Sequence, residues 1–109
     1  MKRLTPLKAV SGWRRYAEIV AEAVAKAFPD AEVYLVGGAA EGRVTVLSDV
    51  DVVVVVPGEL TLDQAVEVRA RVLEKAEKLG LPPYAPVEIH VVDRKGLARY
   101  ERRGRLVKL

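Results

Sequence analysis

The sequence predicts an α/β fold, with a small mixed sheet of three or more strands flanked by helices in the order α-β-α-β-α-β-α. Three observations predict it. Short runs rich in β-forming residues (Glu32–Val36, Val50–Val56 and Val87–Val92) alternate with segments of helical period. The run Val52–Val56 is apolar on both faces, as a central strand covered from both sides requires. Half of the 109 residues are hydrophobic, enough to bury one core but not two.

The elements follow in order. Trp13, Tyr16, Ile19/Val20, Ala23/Val24 and Ala27 recur at helical spacing, so a helix spans Trp13–Phe28, with Ser11 placed to cap it and Pro29-Asp30 at its exit. The strand Glu32–Val36 runs into Gly37-Gly38. Ala39–Gly42 suit a helical turn, and Arg43–Leu47 suit either strand or loop. After the valine strand, Pro57-Gly58 breaks the chain. Thr61 and Gln64 then have capping-box spacing at the head of a helix running to Leu79. Its apolar face reads Leu62, Ala65/Val66, Val72/Leu73, Ala76 and Leu79, interrupted by Arg69, which suits an acid partner or a second protein. Gly80 falls where a left-handed C′ residue belongs, and Pro82-Pro83 prevent continuation. The third strand is Val87–Val92, and Lys95–Arg103 suit a last helix. The chain is read as one domain, 1–109, with a core over 13–92 and a basic segment over 94–109.

Composition excludes several chemistries. Without cysteine there is no disulfide, no thiol nucleophile and no cysteine zinc site, and the single His90 rules out a multi-histidine cluster. A bound metal must therefore rest mainly on carboxylates, which suit Mg²⁺ or Mn²⁺. Only 6% of residues are aromatic, so valine, leucine and alanine fill the interior, with Trp13 and the tyrosines as core or interface anchors. No signal-peptide core and no apolar run of ~20 residues is present, which leads to the expectation of a cytoplasmic protein that does not cross a membrane. The absence of Asn and Cys, with a single Gln and many Arg and Glu, resembles a thermophile's composition. The net charge of +3 is gathered at the two ends: Lys2, Arg3, Arg14 and Arg15, then Arg94, Lys95, Arg99, Arg102, Arg103, Arg105 and Lys108. Such residues suit a solvated surface or a polyanion-facing tail.

Chemistry concentrates where the valine strand begins. Asp49 and Asp51 share a face by strand alternation, with Cα atoms ~6.6–6.8 Å apart. Carboxylates that close repel unless a cation lies between them. Glu88 and His90 share a face of the third strand by the same rule. If the two strands pair, Glu88 joins the aspartates as a third carboxylate for one or two Mg²⁺ ions. His90 suits either a packed, hydrogen-bonded strand residue or one lining the site. Glycines at 37 and 38 let backbone N–H groups approach phosphate, although such a pair also suits a plain turn.

The segment Val36-Gly37-Gly38-Ala39-Ala40-Glu41-Gly42-Arg43-Val44-Thr45-Val46-Leu47-Ser48-Asp49-Val50-Asp51 resembles the glycine-loop and acid-pair signature of the nucleotidyltransferase superfamily that includes polymerase beta and the CCA-adding enzymes. It is most similar to the minimal nucleotidyltransferases, with Ala40, Gly42 and Ser48 at matching offsets. The resemblance implies that Gly37, Gly38 and Ser48 bind the nucleotide. It implies that Asp49, Asp51 and Glu88 are catalytic and hold Mg²⁺ or Mn²⁺, and that ATP is the substrate. The chain departs from the family pattern at Gly38, where serine is usual, at Glu41, where many minimal members have arginine, and at Glu88, where aspartate is commoner. The first two changes bear on the phosphate end of the site.

The implied reaction moves AMP from ATP to a hydroxyl acceptor. The family implies a HEPN-domain protein as that acceptor, with this chain as antitoxin. A chain of this length has no separate acceptor-binding lobe, so a second chain or a homo-oligomer mate is expected to present the acceptor. Two alternatives stand beside this reading: a catalytically weak module that neutralises a partner by contact, and nucleotide transfer to RNA, suggested by the basic segment 94–109.

Overall fold

A computed structural model describes residues 12–40 and 49–109. Its elements are α1 (Trp13–Ala27), β1 (Glu32–Val36), a single helical turn α2 (Gly37–Ala40), β2 (Val50–Val55), α3 (Leu62–Lys78), β3 (Val87–Val92), α4 (Arg94–Arg103) and β4 (Val107–Lys108). The four strands form one mixed sheet in the order β3-β2-β1-β4. β2 runs parallel to β3 and antiparallel to β1, and β4 adds antiparallel to the outer side of β1. The predicted α/β class and mixed sheet are therefore observed. Ser11 and Arg43–Leu47 lie outside the described residues.

β2 is central because its sequence allows it to be. Val50, Val52, Val53 and Val54 are wholly buried, and Val55 nearly so. Even residues of β2 face one layer: Val50, Val52 and Val54 pack with Val33, Leu35 and Ile89 against Ile19, Val20, Ala23 and Val24 of α1 and Val72 and Ala76 of α3. Odd residues face the other layer, where Val53 and Val55 join Val36, Leu97, Tyr34, Val92, Tyr100 and Leu106 beneath α4. Each fully buried valine contributes on the order of 2 kcal/mol, so the β2 run accounts for much of what holds the layers together.

The ends of α3 match the local chemistry. Thr61 Oγ1 accepts from Gln64 N–H at 3.1 Å, and Gln64 Oε1 accepts from Thr61 N–H at 2.9 Å, completing the capping box. At the other end Gly80 has φ +109°, with Leu81 N–H donating to Ala76 C=O at 2.9 Å and Gly80 N–H to Glu77 C=O at 3.1 Å. The predicted apolar face of α3 needs correction. Leu62 and Val66 are 80% and 62% exposed. From Val72 onward the predicted face holds, with Val72 and Ala76 buried and Leu73 and Leu79 packed against the core, while in the preceding turns Val68 takes the place expected of Leu62 and Val66. Among the described residues Arg69 meets no acid: its Nε donates to Ile89 C=O at 3.1 Å, on edge strand β3. The residue flanking the start of α1 is Gly12, which makes no side-chain cap.

α4 begins at Asp93, whose Oδ1 accepts from Gly96 N–H at 2.9 Å. A Cβ at residue 96 would lie 2.8 Å from Val92 Cβ, so glycine is what lets α4 press against β3. The C-terminal segment is tied back as well. Glu32 of β1 takes the Tyr34 hydroxyl at 2.9 Å, the Arg94 guanidinium at 3.0 Å and Lys108 Nζ at 3.7 Å. The Tyr34 hydrogen bond, and after it Arg94, hold the Glu32 carboxyl below its ordinary 4.5.

Two predictions follow from these contacts. Gly96→Ala overpacks α4 on Val92 and is expected to cost about 1–3 kcal/mol, read as a lowered midpoint in urea unfolding. Because the folded state favours ionised Glu32, its contribution is present above pH 4.5 and is lost as pH falls through the lowered value. Glu32→Gln is therefore expected to give a shallower loss of thermal stability between about pH 5 and pH 3 than wild type.

Candidate active site

The site is set by the ladder between β2 and β3. The parallel register places Asp51 beside Glu88 and Val53 beside His90. All three polar residues point to the α4 face of the sheet, because alternation puts them in phase with Val53, Val55 and Val92. One ligand atom from each of Asp51, Glu88 and His90 lies within 4.8 Å of the others. His90 Nε2 is 3.3 Å from Asp51 Oδ1 and 3.7 Å from Glu88 Oε1. A carboxylate only accepts, so the shorter contact requires the proton on Nε2. None of the three is fully buried, which leaves the cluster open to a ligand.

Gly37 forms the facing wall. Asp51 lies opposite Val36 in the β1–β2 ladder, and Gly37 follows with φ +71°. A Cβ there would stand 3.3 Å from Asp51 Oδ2. Glycine thus meets two demands at once, a left-handed backbone and a close approach to the carboxylate. The turn it opens is one turn long, too short to add a large macrodipole.

A cavity of about 150 Å³ opens beside Asp51, lined by Val36, Gly37, Asp51, Tyr100, Arg103, Gly104 and Arg105. Tyr100 is the bridge between the two halves of the site: its ring centroid is 5.9 Å from that of His90, and the Arg103 guanidinium lies over the Tyr100 ring, 5.7 Å from its centroid. A larger depression of about 390 Å³ lies at the far end of the sheet, between Phe28, Val56, Leu60 and Val68. Its charged lining residues are Asp30 and Glu59, which would repel a phosphate.

The sequence-predicted residues fall as follows. Asp51 and Glu88 are brought together, and His90 joins them. Asp49 is exposed and stands before β2, whose pairing begins at Val50 opposite Val87, so no ladder carries it to the cluster. The trio suggested by sequence was Asp49, Asp51 and Glu88; the trio in contact is Asp51, Glu88 and His90. Gly37 touches the site. Gly38 follows it in the α2 turn, and Ser48 and Glu41 lie outside the described residues. Tyr100, Arg103 and Arg105 were not foreseen as site residues; the signal was there only as Tyr100 and Arg103 spaced i, i+3 on the helix after the acid-bearing strand.

Comparison with known proteins agrees with this geometry. Residues 17–103 match the nucleotidyltransferase domain family, and the chain belongs to that family. The crystal structure of a presumed nucleotidyltransferase from Sulfolobus solfataricus superposes with a TM-score of 0.65 at 24% identity, covering 92% of this chain and 84% of that one. A second presumed nucleotidyltransferase gives a TM-score of 0.53 at 30% identity, covering 84% of this chain and 95% of the other. No curated protein gives a significant match. Among the described residues, no helix is long and apolar enough to cross a membrane.

Two carboxylates and one imidazole fit a divalent cation of the kind such enzymes employ. The mixed donor set is less hard than carboxylates alone, which favours Mn²⁺ over Mg²⁺. Electron paramagnetic titration is expected to show Mn²⁺ bound more tightly than Mg²⁺ competes for it, and His90→Ala is expected to weaken Mn²⁺ about tenfold. Gly37→Ala is expected to lower stability by about 1 kcal/mol and to weaken Mn²⁺ binding by displacing the Asp51 carboxylate.

Proposed function

We propose that this chain is a metal-dependent nucleotidyltransferase that moves AMP from ATP onto a hydroxyl group of a partner protein. The observation that carries the reading is the Asp51–Glu88–His90 cluster beside the close backbone of Gly37, in a chain of the nucleotidyltransferase family. When bound, Mg²⁺ or Mn²⁺ supplies charge neutralisation for the triphosphate and a lowered pKa for the attacking hydroxyl.

The chain's own residues do the rest. Asp51 and Glu88 stand side by side on neighbouring strands, and Asp49 lies two residues before Asp51, outside their cluster. Gly37 leaves the space beside Asp51 open to a phosphate. The acceptor oxygen attacks the α-phosphorus, forming the new P–O bond. The bond from that phosphorus to the α,β-bridging oxygen breaks, and pyrophosphate leaves. The acceptor's proton passes to a carboxylate, for which Glu88, the more exposed of the pair, is placed to reach solvent afterwards. Such catalysis is positioning and electrostatics, with no covalent enzyme intermediate.

The likeness of residues 36–51 to the minimal nucleotidyltransferases supports a HEPN-domain protein as the acceptor, with this chain as antitoxin of the pair. The test is transfer of label from α-³²P-ATP to a HEPN-domain protein in the presence of Mg²⁺ or Mn²⁺. Wild type is expected to label it, and Asp51→Ala and Glu88→Gln to fall by at least about 10²-fold. Equal labelling by wild type and Asp51→Ala would overturn the catalytic role. Tight partner binding with no label in any condition would leave a module that acts by contact.

A further inference from the structure

The cavity beside Asp51 holds two cations that the acid cluster does not explain. Arg103 and Arg105 line it together with Gly37 and Tyr100. Of the other basic residues in the C-terminal segment, Arg94 and Lys108 close on Glu32, and Lys95, Arg99 and Arg102 do not line the cavity. Neither Arg103 nor Arg105 makes an ion pair with an acid among the described residues, although Asp51 lines the same cavity. Among the described residues, no acid takes either guanidinium's donors, and both line the cavity.

Size narrows what that ligand is. Pockets that enclose drug-sized molecules run to about 300–1,000 Å³. This one is about 150 Å³. It suits a phosphate or diphosphate group rather than a whole nucleotide. Its walls also suit an anion: one side is glycine backbone, which lets an oxygen come close, and the other is a pair of planar guanidiniums, which bind phosphate oxygens in pairs. The C-terminal end of α4 is the wrong helix end for an anion, which makes the two full charges necessary there.

We propose that Arg103 and Arg105 form the diphosphate subsite of this chain, holding the β- and γ-phosphates of the nucleotide, the part that leaves as pyrophosphate. Tyr100 is a positioning residue. It packs beside His90 at 5.9 Å and carries the Arg103 guanidinium at 5.7 Å, so it fixes the distance between the acid cluster and the subsite. The proposal rests on the nucleotidyltransferase reading, and it gives the basic segment after α4 a task inside the site.

Calorimetry with Mn²⁺ and three probes tests it: the non-transferable α,β-methylene ATP, inorganic pyrophosphate, and AMP. Wild type is expected to bind the first two. Arg103→Ala and Arg105→Ala are each expected to weaken pyrophosphate and the ATP analogue about tenfold while leaving AMP unchanged. Arg103→Lys is expected to recover part of the loss, and Tyr100→Phe to keep wild-type binding where Tyr100→Ala does not. Arg99→Ala, on an exposed position of the same helix, controls for general charge, and circular dichroism checks that each variant is folded.

Wild-type pyrophosphate affinity in an Arg103→Ala/Arg105→Ala double variant would overturn the subsite. The two readings separate cleanly. Arginine-dependent pyrophosphate binding in a chain that transfers no nucleotide would uphold the subsite and sink the transferase reading. Nucleotide transfer with arginine-independent binding would do the reverse.

Discussion

The parallel pairing of β2 with β3 is the constraint on which the rest of this molecule depends. It sets Asp51 beside Glu88 and brings His90 to within 3.3 Å of Asp51. A slip of either strand by one residue would turn its acid into the apolar layer beneath α1 and α3 and part it from the other. What prevents the slip is the valine run itself. Val50, Val52 and Val54 are buried on one side and Val53 and Val55 on the other, so every residue of the strand but Asp51 has an apolar place to fill. The cost of assembling like charges at the strand end is offset by a core that accepts no other register.

The elements were legible in the sequence wherever a periodic signal was long or an end was chemically marked. β1 and β3 fall on the predicted residues, and β2 stops one residue short of the predicted end. The Thr61 and Gln64 pair places the start of α3, and Gly80 its end, because both signals are local. β4 was invisible. Two residues, Val107 and Lys108, show no alternation, and they form a strand only because β1 offers them an open edge. Only the first turns of α3 depart from the predicted face, for a related reason. Leu62, Val66 and Val68 are all apolar, and hydrophobic period alone does not say which of two overlapping rows faces the sheet.

The site was legible in part. Asp51 and Glu88 could be paired from alternation and the guess that their strands are neighbours. His90 shares that face by the same rule, but a lone strand histidine is as often a packed residue, and only the register brings it to the carboxylates. The individual roles of the C-terminal basic residues could not be told apart in the sequence, which offered only a solvated surface or a polyanion-facing tail. Arg94, Arg103, Arg105 and Lys108 look alike in a sequence, yet two of them anchor the segment to Glu32 and two line the cavity. Their division of labour follows from how α4 turns back over the sheet.

The alternation of β2 has one more consequence. Neighbouring residues of that strand belong to different compartments: Val52 and Val54 to the layer of α1 and α3, Val53 and Val55 to the layer that supports the acids. The compartments are separated by the thickness of a single backbone. Drift in the α1–α3 layer, a methyl lost here or gained there, is shielded from the acid-bearing side by a hydrogen-bonded sheet that resists bending. A lineage carrying this fold can thus retune its tolerance to heat or cold on one side of the sheet and the acid-bearing surface on the other, with little interference between the two.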